Sequence, residues 1–179
     1  MKRVFGIAIL VFAVPLLQGA LAPFLPPAVR PDLALLVVFA LTLSWRNTAT
    51  GLVLAAICGT VVDLFSGGLQ GQHALMSVLV FAASRVLSIR VSMIGPIAQI
   101  IVAGALTAAH ALGMAALTTF FTPGAGFGLL SLGTLIPHIA ANAIIAPLVA
   151  SVVSVVVSWV GGEQDGRRPL RLATRSFSA

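Results

Sequence analysis

The chain has 179 residues, 59% of them hydrophobic and only 8% charged, with a formal net charge of +6 and a mean hydropathy of +1.13. A soluble domain keeps about a quarter of its residues charged, yet no Asp, Glu, Lys or Arg lies between Arg90 and Glu163. A soluble fold cannot cover such a run without aggregating, whereas a bilayer core solvates it.

The basic excess is therefore no sign of nucleic acid. The 10 basic residues sit at the ends of apolar segments, where they set topology and meet anionic lipid. The first apolar segment is 4–22, behind Lys2 and Arg3. Gly19-Ala20-Leu21-Ala22 offers small residues for cleavage, but the run is long and more spans follow, so it reads as an uncleaved first helix. Pro23, Pro26, Pro27 and Pro31 make a connection, and Asp32 stands where it can cap the second helix. That helix, 33–45, is short against the roughly 20 residues a span needs, so it is expected to tilt little, thin the bilayer or recruit part of the proline connection, and it ends on the interfacial pair Trp45-Arg46.

A third helix is expected at 48–65, then a glycine-rich turn from Ser66 to His73. A fourth follows at 73–89, with Arg85 snorkelling near its end. The apolar stretch from Val91 to Val160 is too long for one helix. The cluster Pro123 to Gly128 divides it into a fifth at 94–121 and a sixth at 129–160. Both exceed the bilayer thickness, so tilt or kinking is expected, with Pro137 and Pro147 as kink points in the sixth. Residues 1–160 thus form one transmembrane domain, and 161–179 form a polar, basic tail expected to be poorly ordered.

Charge supports six crossings. With a cytoplasmic N-terminus, Lys2, Arg3, Arg46, Arg85, Arg90, Arg167, Arg168, Arg171 and Arg175 fall inside and Arg30 alone falls outside. Omitting the short second helix would reverse everything after it. The fold class expected is an all-α integral membrane protein, a six-transmembrane-helix bundle with both termini cytoplasmic.

Asp63, at the outer end of the third helix, is the single acid expected at or near membrane depth, where an ionised group costs on the order of 3 kcal/mol at mid-bilayer and less towards the interface. Two readings stay open: a packing partner, proton site or ligand contact, and a helix-end acid dipping into the headgroups. Gly51, Ala55 and Gly59 recur every four residues on the same face, a row of small residues that lets another backbone approach. His73 lies ten residues after Asp63, across the turn. His110 and His138 fall within the long fifth and sixth helices, and the three histidines have no metal-ligand spacing. Each is expected to bond a backbone carbonyl or a neighbouring helix. Asn142 shares a helix face with His138, near Gly133 and Thr134, and points to a helix–helix contact. Cys58 reads as a small hydrophobe. No nucleophile with its base, no membrane carboxylate pair and no phosphate or dinucleotide loop is present, so neither enzyme activity nor a cofactor is expected. An ion-coupled transporter is disfavoured for want of a charged pathway or an inverted repeat.

Pro31-Asp32-Leu33, Arg46, Gly51 through Gly59 to Asp63-Leu64, Ser66-Gly67, Gly71 and His73-Ala74-Leu75 together resemble the rod shape-determining MreD family, and Asn142 with Ala146-Pro147 resembles its last helix. The match covers about residues 30–90 and is fainter to 150. The resemblance implies a non-catalytic scaffold in the bacterial inner membrane. It would bind MreC above all and work with the actin-like MreB, the glycosyltransferase RodA and its transpeptidase partner, in lateral-wall peptidoglycan synthesis and rod shape. It also implies a fold similar to the S components of energy-coupling-factor vitamin transporters. A small-molecule binding or transport subunit is therefore the alternative, although the sequence displays no polar cluster able to grip such a ligand. Candidate partner contacts are Gly51, Ala55, Gly59, Asp63, Ser66, Gly67, Gly71, His73, His138 and Asn142. Arg167, Arg168, Arg171 and Arg175 are candidates for anionic lipid.

Overall fold

The computed structural model describes the backbone of residues 2–45, 47–67, 69–90, 95–122 and 132–159. Arg46, the cluster from Pro123 to Gly128 and the tail with Arg167, Arg168, Arg171 and Arg175 lie outside them. The described residues form six α-helices, α1 (Lys2–Leu21), α2 (Leu33–Ser44), α3 (Thr48–Ser66), α4 (Gln72–Arg90), α5 (Pro96–Phe121) and α6 (Leu132–Trp159), with two 3₁₀ turns between α1 and α2. No strand occurs among them. Five helical stretches are long and apolar enough to cross a membrane, and many of their large apolar side chains are exposed. The chain is a multi-pass membrane protein by this measure.

The second segment keeps close to its expected bounds, Leu33–Ser44 against 33–45, and recruits part of the proline connection. It reaches crossing length because the 3₁₀ turn at Pro27–Val29 extends it to Pro27–Ser44. Its own α-helix has only 12 residues, and all from Ala34 to Thr42 are buried. A helix that is apolar all round is one packed on every side by protein. α2 is the axis of the bundle, touching α1, α3, α4, α5 and α6. Phe39 and Leu41 are wholly enclosed. α1 itself is 20 residues long, Lys2–Leu21, and adds a shorter apolar helical stretch among the described residues, Ile9–Phe24.

α3 and α4 pack most extensively of all the pairs. Glycine makes this possible at Gly59, where a Cβ would strike the His73 carbonyl and lie 2.5 Å from the Ala74 Cα. At Gly51 it would overlap the Phe81 ring, 2.8 Å from Cε2. The turn between these helices needs glycine for another reason: Gly67 and Gly71 have φ of 65° and 90°, which a side chain disfavours.

Arg85 has a partner inside the bundle. Its Nη1 donates to the Thr42 and Trp45 carbonyls, at 3.1 and 3.2 Å, and so caps the C-terminal end of α2, where the helix dipole favours a cation.

The Gly59 contact predicts a sharp contrast. Gly59→Ala should destabilise the protein by about 1–3 kcal/mol, the usual range for overpacking. Gly104→Ala, whose added methyl meets Ile139 and Ala143 at ordinary distances of 3.6 and 3.7 Å, should be neutral or slightly stabilising. Thermal unfolding in detergent would measure both, and equal midpoints would refute the close approach.

Candidate functional site

A large share of the polar side chains gathers at one end of the bundle, where α1 and α3 finish and α2 and α4 begin. Two groups form there.

The first is built on Asp63, which is 4% exposed. Its Oδ1 accepts from the His73 backbone N–H and from His73 Nδ1, both at 2.9 Å. Its Oδ2 accepts from the Gly71 N–H at 3.0 Å and the Ala74 N–H at 3.1 Å. The first turn of any α-helix has backbone N–H groups with no partner inside the helix. Here a carboxylate of the preceding helix takes up those of α4, where the dipole also favours an anion. Of the two readings of Asp63, the packing partner is the one observed. The positive φ at Gly67 and Gly71 folds the turn back far enough to bring the Asp63 carboxylate over α4.

The second group surrounds the N-terminus of α2. Asp32 Oδ1 accepts from the Leu35 N–H at 3.0 Å, the expected cap. The Asp32 N–H donates to Asn142 Oδ1 at 2.7 Å, and the Ala34 N–H donates to Gln18 Oε1 at 3.1 Å. α1 and α6 thus complete what Asp32 begins. His138 Nδ1 lies 2.8 Å from the Arg30 carbonyl, which can only accept, so Nδ1 carries a proton. Asn142 uses Oδ1 on Asp32, so its Nδ2 donates to His138 Nε2, at 3.3 Å. These roles fix the tautomer of His138 and the amide orientation of Asn142 from the hydrogen-bond pattern.

The groups face one another. His110 Nδ1 is 3.8 Å from Asp32 Oδ2, close enough for charge attraction but too far for a hydrogen bond. A void of about 10 Å³ between them is lined by Asp32, His73, Ser77 and His110. Gln72 joins from the side, its Nε2 donating to the Met114 carbonyl at 3.0 Å and Thr118 Oγ1 at 2.9 Å. No set of three metal-ligating side chains occurs among the described residues.

Several sequence expectations change. Asp63 is not the single acid of the bundle, because Asp32 belongs to the same polar end. Gly51, Ala55, Gly59 and Asp63 are all buried within the chain, with Gly51, Gly59 and Asp63 set against α4 and the turn that leads into it. Asn142 is wholly buried and His73 and His138 are partly so, whereas Ser66, Gly67 and Gly71 are exposed in the turn. Gln18 and Arg30 were not singled out as site residues. Gln18 had a signal, since it is the one polar side chain between Val4 and Ala22. Nor is a ligand-sized space lacking: a cleft of about 320 Å³ opens beside the second group, with Gln18, Arg30, Asp32, Ser66 and His138 among its lining.

The chain matches no protein-family model, no curated protein and no solved structure.

The Asp63 cap is testable through its geometry. Asp63→Ala leaves the Gly71, His73 and Ala74 N–H groups without their acceptor and should lower stability by about 1.5–3 kcal/mol, the range for hydrogen bonds to a charged group. Asn142→Leu should lower it by about 1–3 kcal/mol by orphaning the Asp32 N–H and His138. Denaturant titration in detergent measures both. Wild-type stability in either variant would remove that residue from the network.

Proposed function

We propose that this protein is a non-catalytic membrane scaffold of the bacterial cell elongation complex. In this reading it has six crossings, cytoplasmic termini and an inner-membrane location. It binds MreC and supports lateral peptidoglycan synthesis and rod shape beside MreB, RodA and the transpeptidase. One observation carries the reading: six of the residues on which the resemblance to the MreD family rests knit the helices together. Asp32, Asn142, Asp63, Gly71, His73 and Gly59 are all engaged in capping or close packing. Side chains spent on holding a shape suit a protein whose product is its own surface.

The partner surface must then lie elsewhere than the small-residue row. The exposed turn at Ser66, Gly67 and Gly71 remains a candidate, together with the apolar outer face of α3 beside it, where Leu64 is exposed.

A second reading, a small-molecule binding subunit similar to transporter S components, is favoured by the cleft alone, whose volume is at the lower end of that seen for ligand sites.

Affinity purification of the tagged protein separates these readings. MreC should copurify, and Leu64→Ala combined with Leu69→Ser should reduce its recovery several-fold while thermal unfolding stays unchanged. Depletion should turn rods into round cells. Rod shape maintained under depletion would defeat the scaffold reading. A vitamin copurifying at one equivalent, with auxotrophy on depletion, would establish the second.

A further inference from the structure

The cleft has a chemistry of its own. It lies between the end of α1, the proline connection and the end of α3, and its walls are largely apolar, with Leu21, Leu25, Val62 and Phe65 among them. Arg30 is the permanent cation in its lining. The His138 ring holds the Arg30 carbonyl at 2.8 Å, and Arg30 Nε donates to the Leu25 carbonyl at 2.9 Å. Main chain and side chain are thus both fixed.

The terminal guanidinium nitrogens have no partner among the described residues. Among these residues no buried side-chain nitrogen or oxygen lacks one, so both nitrogens reach open space. The ion pairs are Asp63 with His73 and Asp32 with His110, and Arg30 is in neither. Gln18 adds a second donor: its Oε1 is taken by the Ala34 N–H, which leaves its Nε2 unpartnered in the same lining.

A guanidinium fixed at Nε with both ends free matches an anion that offers two oxygens in one plane, and phosphate is the best fit. The one carboxylate in the same lining, Asp32, is already engaged with the Leu35 N–H and His110, so the free guanidinium donors are left for such an anion. The source of the phosphate follows from the rim. Leu21 and Phe65, 39% and 66% exposed, lie on the apolar faces of α1 and α3, so the cleft opens sideways towards hydrocarbon. The helix ends set Arg30 at headgroup depth. A soluble anion would leave those walls wet, whereas a lipid covers them.

The geometry points to a binding site for one phospholipid, its phosphate on Arg30 and Gln18 and an acyl chain over Leu21 and Phe65. The site goes beyond the scaffold reading and does not depend on it.

Native mass spectrometry of the full chain in detergent, titrated with phosphatidylglycerol, tests the site. One lipid should be retained at saturation. Arg30→Gln should weaken retention about tenfold, as expected for loss of a charge-assisted bidentate contact, and Arg30→Lys should fall between. Gln18→Leu should weaken it less, and Arg90→Gln, on the opposite end of α4, should leave it unchanged. If Arg30→Gln does not fold, Gln18→Leu and Arg30→Lys decide. Wild-type retention in the folded Arg30 variants overturns the site. Binding of glycerol phosphate or inorganic phosphate as tight as that of the lipid overturns the lipid as the ligand. Partner recovery and cell shape are not read by this measurement, so failure here leaves the scaffold reading standing, and the reverse holds.

Discussion

Burying a whole helix inside a membrane protein creates a problem at each of its ends. The first N–H groups and last carbonyls of α2 have no partner in their own helix, and water cannot reach them freely. An unpaired backbone group there is unfavourable by several kcal/mol. The rest of the structure answers this constraint. Asn142 of α6, Gln18 of α1 and Asp32 itself receive the amides at one end, and Arg85 of α4 holds the carbonyls at the other. Three of the surrounding helices are positioned by the hydrogen-bonding needs of the one they enclose.

The same logic explains why so few polar residues suffice. Asp63 fastens α4 to α3 with four hydrogen bonds from one carboxylate, and His138 serves both the proline connection and Asn142. Without a hydrophobic driving force between helices in lipid, close packing and such bonds carry the association. The glycines at 51 and 59 supply the closeness, and the polar end supplies direction.

Much of this was legible in the sequence, and the failures have physical causes. Helix existence followed from apolar length and from proline and glycine punctuation, which act locally. The Asp63–His73 approach was legible because the turn between them is short. The Asp32 cap was legible too, but its tie to Asn142 spans 110 positions, and no local pattern reports a contact so distant. The small-residue row was visible, but a row of glycines looks the same whether its neighbour is another protein or the next helix of the same chain. The short α2 reads as a marginal span because apolar length alone carries no information on burial. A helix shielded by protein on all sides is not held to the thickness of the lipid.

The position of Asn142 also sets an order in time. A ribosome delivers α2 long before α6, so the Asp32 N–H and the apolar flank that α6 will cover stand open while some hundred further residues are being made. During that interval the flank of α2 that α6 will cover lacks its final neighbour. α1, α3 and α4 can close round α2 before then, but the last side of its burial and the bond to the Asp32 N–H are completed only when α6 arrives.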